Sequence, residues 1–352
     1  MEEAVERRVF PGGVLLVAER GQVLFSEAFG MARLAPRRPM KEDTRFDLAS
    51  LTKPLATAVS VMVLVQEETL RLDQTLGSTL EGFTGTEKQD VTVRQLLSHT
   101  SGLPDYRPYY RQLIKVPFHE MKSMVKRLLL EEDLIYEPGK VCLYSDLGFM
   151  VLGWLIEAVT EKPLDRFVEE SVYGALRLKD LFFIPLKNSE KRFDYPYAAT
   201  EDCPWRGRIL EGEVHDENAF ALGGVGGHAG LFGTARDAGA LLLELLNTYL
   251  GEPNKGLFRR DMVQTFFQRH SHGGSWALGF DTPTRPHSSS GHHFSHESVG
   301  HLGFTGTSFW MDLARGIVVI LFTNRIHPTR QNQAMTDFRP RLHDTVMDAM
   351  GR

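Results

Sequence analysis

The chain has 352 residues, of which 42% are hydrophobic and 24% charged, and its formal net charge is −5. This length exceeds what one compact core usually holds, so we expect one large unit or two closely packed lobes. Because no basic block dominates the charge, the composition disfavours nucleic acid or an anionic membrane surface as a partner and favours a small-molecule substrate. The sequence shows no run of about 18 apolar residues that could span a bilayer.

The cysteine content bears on the cellular compartment. The chain contains only Cys142 and Cys203, which are far apart and offer neither a disulfide framework nor the spacing of a metal site. Residues 1–8 are charged and lack the apolar segment of a secretory signal. We therefore expect a cytoplasmic protein, with a periplasmic or extracellular location left open if a leader was removed.

The amino-terminal and middle parts of the chain carry a β pattern followed by helical patterns. Two β-rich runs, at 13–19 and 22–30, are separated by the tight-turn signal Arg20-Gly21, which predicts a hairpin. A long apolar helix is predicted from Ser50 to about residue 68. The helices predicted after it lie at 91–97, 117–131, 144–160, 163–173 and 235–250.

The carboxyl-terminal part returns to a β pattern. Three further strands are predicted at 298–303, 307–312 and 316–323, and an amphipathic helix at about 333–349 closes the chain. Together the five strands predict an antiparallel sheet flanked by helices, in an α+β fold. We expect residues 1–70 and 286–352 to form the lobe with the sheet, and residues 71–285 to form an inserted, mainly helical lobe.

The start of the apolar helix carries a candidate nucleophile. Three residues of separation place the side chains of Ser50 and Lys53 on one helical face, where the amine can act as a base for the hydroxyl. The amine must be desolvated or crowded by other donors to lose its proton at neutral pH, and the apolar run 56–65 supplies burial. A serine before an apolar helix is, however, most often only an N-cap.

Further motifs in a fixed order decide between these interpretations. Ser50-Leu51-Thr52-Lys53, Tyr144-Ser145-Asp146 and His301-Leu302-Gly303 resemble the three motifs of the serine β-lactamase and penicillin-binding-protein superfamily, in particular the branch of class C β-lactamases, DD-peptidases and esterases. Segments 212–219 and 227–232 look most like the penicillin-binding protein 4B-like group. The resemblance covers essentially the whole chain and implies a β-lactamase/transpeptidase-like fold with the active site between the lobes.

The resemblance also implies roles for individual residues. Ser50 would be the acylated nucleophile and Lys53 its proton acceptor. Tyr144, with a phenol pKa lowered by neighbouring cations, would share the base role, and the order of proton transfer between these two bases stays open. The oxyanion hole would consist of the backbone N–H groups of Ser50 and Phe304. No cofactor and no metal is expected, because this serine chemistry needs neither.

Departures from the family pattern concern the substrate-binding residues Asp146, His301 and Gly303. Asp146 stands where many members have Asn, His301 replaces a permanently charged Lys, and Leu302 replaces a Thr that helps hold a substrate carboxylate. We therefore expect weak β-lactamase activity at most, and a better fit to an esterase or a muropeptide or D-amino-acid peptidase. The alternative is a catalytically slow protein that binds a peptidoglycan fragment in the same cleft.

Several histidines invite other interpretations. We expect His99 and His228 to hold the backbone by hydrogen bonds rather than to contact substrate. His215, followed by Asp216 and Glu217, could suggest a metal site, but the irregular ligand spacing favours a solvated loop.

Overall fold

The computed structural model describes residues 1–186, 196–270, 274–284 and 286–352. The strands in this part of the chain are β1 (Gly12–Glu19), β2 (Gln22–Arg33), β3 (Arg38–Pro39), β4 (Phe46–Asp47), β5 (Leu181–Phe183), β6 (Asp202–Cys203), β7 (Arg208–Ile209), β8 (Leu231–Gly233), β9 (Val299–Leu302), β10 (Ser308–Asp312) and β11 (Ile317–Thr323).

The α-helices in the same ranges are α1 (Glu2–Glu6), α2 (Val59–Gln66), α3 (Leu76–Thr79), α4 (Val93–Leu97), α5 (Tyr110–Leu113), α6 (Phe118–Glu131), α7 (Asp146–Thr160), α8 (Leu164–Val168), α9 (Glu217–Ala221), α10 (Ala235–Leu250), α11 (Arg260–Phe267) and α12 (Met335–Ala349). The predicted helices at 117–131, 144–160, 235–250 and 333–349 correspond to α6, α7, α10 and α12. The predicted helix at 163–173 divides into α8 and a π-helical segment, Glu169–Tyr173.

The main sheet joins the two ends of the chain. Within the described residues it has six antiparallel strands in the order β3-β2-β1-β11-β10-β9. The α+β class is confirmed, but the predicted count of five strands is wrong. The sixth strand, β3, has only two residues and pairs with Met31 and Arg33 of β2. It carries no β pattern of its own, so sequence periodicity could not reveal it.

Strands β1 and β11 form the centre of the sheet and are buried on both faces. Leu16 and Ile320 face the large core that includes α2 and α10, whereas Leu15 and Leu321 belong to a second core that includes residues of α12. Each of these side chains contributes roughly 1.5–3 kcal/mol when it is fully buried. Two buried faces explain why both strands are apolar without alternation.

The long apolar helix after Ser50 is a composite of three helix types. A 3₁₀ turn, Ala49–Leu51, leads into a π-helical segment, Lys53–Ala58, and then into α2. Pro54, near the start of the π segment, has no N–H to donate back to the preceding turn. By length and composition alone Ala49–Gln66 could cross a membrane, contrary to the sequence expectation, but 83% of it is buried inside the fold. It is therefore the central core helix.

The division into two lobes stays a prediction. Helix α10 lies within the predicted insertion, 71–285, yet it packs against β1 and β11 of the sheet. One hydrophobic core includes Leu16 and Ile320 of the sheet together with Leu129 of α6 and Leu152 of α7. The apolar core is thus continuous across the predicted boundary.

Candidate active site

Ser50 lies on a sharp turn between β4 and the core helix. Ala49 adopts a left-handed backbone conformation, with φ of 47°, which costs an L-residue about 1 kcal/mol or more. The Asp47 carboxylate stabilises this turn by accepting hydrogen bonds from the N–H groups of Ala49, at 2.9 Å, and His215, at 2.6 Å. Burial raises the pKa of Asp47. The turn directs the Ser50 side chain into a cleft.

Lys53 is fully buried one turn after Ser50. Its Nζ donates to Ser50 Oγ at 3.1 Å and to the backbone carbonyl of His228 at 3.1 Å, and it forms an ion pair with Asp146 Oδ1 at 2.7 Å. The ring centroid of Tyr144 lies 4.8 Å from the same nitrogen. The predicted proximity of serine and lysine is therefore present, and the amine contacts groups from three separate segments of the chain.

The glycine-rich segment 223–230 brings the His228 carbonyl to Lys53. A Cβ atom at Gly227 would lie 2.1 Å from the Phe149 carbonyl oxygen and 3.1 Å from the Gly153 Cα, both on α7. Only a glycine permits this close approach of loop and helix. The Thr57 hydroxyl fixes the loop from the other side by donating to the Gly227 carbonyl at 2.6 Å.

The second motif is held at the start of α7 by the segment around His99. Ser145 caps α7 by accepting from the Gly148 N–H at 3.1 Å, and its own hydroxyl donates to the Pro104 carbonyl at 2.6 Å. The Ser145 N–H donates to His99 Nδ1 at 3.0 Å. The predicted backbone-holding role of His99 is therefore confirmed. These bonds fix Tyr144 and Asp146, on either side of Ser145, toward Lys53.

The ionisation of the two candidate bases differs from the sequence expectation. Burial, the largest single influence, would lower the pKa of Lys53, but the charges and hydrogen bonds of Asp146 and Tyr144 together outweigh it and raise that pKa above its ordinary value. Burial also raises the pKa of Tyr144, and Lys53 offsets this only in part. The prediction of a lowered Tyr144 pKa is wrong, because desolvation of the phenol exceeds the effect of the nearby cation. Resting Lys53 is an ammonium paired with Asp146.

The third motif is connected to the Ser50 turn through hydroxyl groups. Thr305 Oγ1 donates to the Asp47 carbonyl at 2.7 Å, and Thr307 Oγ1 donates to the Leu48 carbonyl at 3.2 Å. A Cβ at Gly303 would lie 2.8 Å from that Leu48 carbonyl and 2.1 Å from Thr307 Oγ1. This packing places the Phe304 backbone beside the Ser50 turn. Neither the Ser50 N–H nor the Phe304 N–H donates to another described residue.

His301 and an aromatic group form one wall of the cleft. His301 Nδ1 donates to the Leu302 carbonyl at 2.9 Å, so the imidazole carries its proton there when neutral. Burial lowers the pKa of His301 to about 3, and the side chain is therefore uncharged at neutral pH. The Trp276 ring lies 5.2 Å from that of Tyr144 and 5.3 Å from that of His301.

The cleft offers about 380 Å³ of space to water-sized molecules. Its lining includes Ser50, Tyr144, His301, Leu302, Gly303 and Phe304 from the three motifs, together with Trp276, Asp281, Arg325, Gln333, Met335, Thr336 and Arg339. The three motifs that were identified in the sequence therefore meet around Ser50, which lines the cleft, and the buried Lys53.

Comparison with known proteins agrees with this arrangement. The sequence profile of the β-lactamase family matches residues 1–342. The chain belongs to the β-lactamase family. It is 33% identical to an N-acetylmuramyl-L-alanine amidase of Bacillus subtilis, over 93% of this chain and 80% of the relative. It is also 31% identical to a putative D-alanyl-D-alanine carboxypeptidase of Escherichia coli, over 90% of this chain and 79% of the relative.

A solved structure shows the same fold. It is EstCE1, described as a hydrolase with promiscuous acyltransferase activity, and it superposes with a TM-score of 0.74 at 23% identity, covering 96% of this chain and 95% of its own. The predicted superfamily and the serine-hydrolase class are confirmed. The finer resemblance to the penicillin-binding protein 4B-like group stays a prediction.

His215 does not lie in a solvated loop as predicted. It is buried, and its Nε2 lies 3.0 Å from Glu201 Oε2 in a cluster with Arg330 and Glu217. His228 is also buried, with Nε2 3.0 Å from Asp216 Oδ1. This carboxylate oxygen accepts from the Ala219 N–H at 2.7 Å, so the ring holds the start of α9 through Asp216 and not by a direct bond to the backbone. The buried network of His215, Glu201, Glu217 and Arg330 joins residues that are distant in sequence. Their irregular spacing gave no sign of it in the sequence.

Sequence reasoning missed the seven described residues that line the cleft outside the three motifs, among them Trp276, Asp281, Arg325 and Arg339. Trp276 and Asp281 lie outside the helices and strands of the main fold, and the two arginines follow β11 and occupy α12, respectively. None belongs to a motif quoted above, so no sequence signal pointed to them. Burial raises the pKa of Asp281 to about 6, and its Oδ1 accepts from Ser275 Oγ at 2.5 Å.

Substitution of Gly303 by alanine tests the geometry of the third motif. We expect Gly303→Ala to lower kcat/KM for a short p-nitrophenyl ester by about 10²-fold, because the new methyl group would displace Phe304 from the Ser50 turn. Gly148→Ala is the matched control, since its nearest non-neighbour atom would lie at 3.7 Å. Equal activity of both variants would contradict the proposed placement.

Proposed function

We propose that the chain hydrolyses a small ester or amide through an acyl-enzyme on Ser50. This proposal rests on the 3.1 Å hydrogen bond between Nζ of the fully buried Lys53 and Oγ of Ser50, which lines the cleft. Ser50 Oγ attacks the substrate carbonyl, and its proton passes to Lys53 or Tyr144. The tetrahedral intermediate then loses the alcohol or amine, whose C–O or C–N bond breaks and which takes up that proton, and the acyl-enzyme remains. The acyl-enzyme is then hydrolysed by water that the same groups activate.

The oxyanion hole is proposed to consist of the Ser50 and Phe304 N–H groups. Both lack a partner among the described residues, and two fixed donors stabilise the charge that develops on a tetrahedral intermediate. Gly303 is proposed to permit their approach rather than to bind substrate through a side chain. The sequence predicted Gly303 to be a substrate-binding residue, and we now propose that it acts only by letting the two backbone segments come close together.

We propose that the main role of Asp146 is to set the pKa of Lys53 and not to contact the substrate. Its carboxylate forms the ion pair with Lys53, in the position where a neutral Asn could accept a hydrogen bond from the amine but would carry no charge. Lys53 must be neutral to accept the Ser50 proton. Asp146 therefore makes this step depend on pH more than an Asn would.

An ester or a muropeptide-type amide is the substrate class that we favour, with weak β-lactamase activity at most. The third motif offers a neutral His301 and an apolar Leu302, so it lacks the cation and hydroxyl that commonly hold a carboxylate next to the scissile bond. The names of the amidase and carboxypeptidase relatives support a substrate related to peptidoglycan. The second candidate is a slow peptidoglycan-fragment-binding protein.

The cytoplasmic location also stays a proposal. It is supported by the two cysteines, both free thiols in the structure, because reducing compartments keep thiols unpaired. The absence of a nucleic-acid partner is supported only by the net charge of −5.

Covalent labelling separates the hydrolase from the binding protein. We expect a fluorophosphonate to add once per chain, on Ser50, as detected by mass spectrometry of the intact protein and its peptides. Ser50→Ala should remain unlabelled, with Ser60→Ala, which removes a buried serine on the same helix, as the control that keeps labelling. An unlabelled wild-type protein would favour the binding protein.

Comparison of substrates tests the proposed class. We expect kcat/KM for short p-nitrophenyl esters to exceed that for nitrocefin, because the third motif lacks a charged group for the lactam carboxylate. Both rates should fall by about 10³-fold or more in Ser50→Ala. Nitrocefin turnover far above ester turnover would overturn this ranking.

The pH profile tests the role of Asp146. Lys53 works as a base only above its pKa, and Asp146 raises that pKa. We expect Asp146→Asn to lower it and so to shift the acidic limb of log kcat/KM toward lower pH. Asp261→Asn, which removes an exposed acid paired with Arg259, should leave the limb in place. An unshifted limb in Asp146→Asn would assign Asp146 to substrate binding instead.

A further inference from the structure

One edge of the main sheet is unpaired over most of a strand. Strand β3 pairs only with Met31 and Arg33 of β2, so residues 22–29 of β2 have β1 on one side and no described strand on the other. Apart from β1, no segment in the described ranges forms a hydrogen bond with the backbone of residues 22–29. The N–H and C=O groups that point away from β1 can therefore pair with a further strand.

The unpaired edge, residues 22–29, is apolar near its centre. Val23, Leu24 and Phe25 are 53%, 55% and 40% exposed. Folded proteins usually blunt such an edge with lysine, proline, a bulge or a covering segment. This edge has one break in its register with β1 and one charged residue, Glu27, but its sequence contains neither lysine nor proline. Its composition is that of a strand that can pair with another chain.

Charges of opposite sign flank the apolar centre. Arg20 lies in the hairpin turn at one end and is exposed. At the other end Glu27 lines a concavity together with Glu2 and Glu6 of α1. None of these four side chains forms an ion pair with another residue that the structure describes. The edge thus runs from an unneutralised positive end to an unneutralised negative end about 20 Å away.

This charge pattern distinguishes between the possible occupants of the edge. Two copies of the chain that meet edge to edge in antiparallel orientation bring Arg20 of each copy to the acidic end of the other. A parallel arrangement would place like charges together, and a basic peptide would neutralise the acidic end only. Because a two-fold axis makes every contact occur twice, each complementary charge pair acts at both ends of the interface.

We propose that a second copy of this chain pairs with β2, antiparallel along residues 22–29, with the two-fold axis near Phe25. This arrangement sets the apolar centres of the two edges against each other and keeps the Glu27 side chains of the two copies apart. Strand β9, which carries His301 of the cleft, forms the opposite edge of the sheet. The pairing therefore leaves the cleft open, and it does not depend on the proposed hydrolysis.

Sedimentation equilibrium tests the association. Between about 1 and 200 µM, the weight-average mass of the wild type should rise from that of a monomer toward twice that value, because an interface centred on one strand is small and weak. Leu24→Lys should weaken the dimer about tenfold or more, since an edge lysine opposes strand pairing. Ile114→Lys is the matched control, because Ile114 is 47% exposed and follows α5 outside the sheet. It should associate like the wild type.

Charge reversal tests the antiparallel orientation. Arg20→Glu and Glu27→Arg each place like charges opposite one another at both ends of the interface, and each should weaken self-association by about fivefold or more. A mixture of the two single variants should form heterodimers, because one copy then carries an acid at both ends and the other an arginine at both. The double variant should recover most of the wild-type association.

Thermal unfolding separates loss of the interface from loss of the fold. At a dilution where the wild type is monomeric, every variant should keep the wild-type melting temperature, because the substituted side chains are exposed. A wild type that stays monomeric at the highest concentration would overturn the inference and leave the edge to an extended peptide of another protein. Association that Leu24→Lys leaves intact, or single charge variants that do not recover on mixing, would equally refute it.

Discussion

The burial of the Lys53 ammonium is the constraint on which the rest of the site depends. A cation without water needs several compensating partners, and here they come from Ser50, from the His228 carbonyl and from Asp146. These partners lie on the core helix, on the glycine-rich loop and at the start of α7. Removal of Asp146 would leave the ammonium without a counter-ion, and loss of either other partner would leave one of its N–H groups without an acceptor in the protein interior. Charge compensation and assembly of the site are therefore the same requirement.

The backbone around this cation accepts unusual geometry to satisfy it. Ala49 is left-handed, and Gly227 and Gly303 approach neighbouring backbone more closely than any Cβ would permit. Hydroxyl groups of Thr57, Thr305 and Thr307 bridge these segments. A strained turn persists only where several independent contacts hold it in the same conformation. The several hydrogen bonds to residues 47 and 48 hold the Ser50 turn in this way.

Local patterns made much of this structure predictable. The serine–lysine spacing, the hairpin and the three carboxyl-terminal strands follow from short periodicities, and each was found near its predicted position. Other features depend on contacts between residues about 90 to 180 positions apart. They are the raised pKa of Tyr144, the ion pair of Asp146 with Lys53 and the buried position of His215. No local pattern encodes such contacts. A two-residue strand such as β3 is likewise set by its neighbour and not by its own residues.

Positive charge is distributed unevenly among the residues in and beside the cleft. His301, at the position where the family motif commonly has a lysine, is neutral because burial and the nearby charge of Lys53 lower its pKa, although its hydrogen bond to the Leu302 carbonyl acts in the opposite direction. Lys53 is cationic but committed to Asp146. Of the described residues that line the cleft, Arg325 and Arg339 are the arginines, and neither forms an ion pair with a described carboxylate. The positive charge of the cleft therefore lies after β11 and on α12 and not in the third motif.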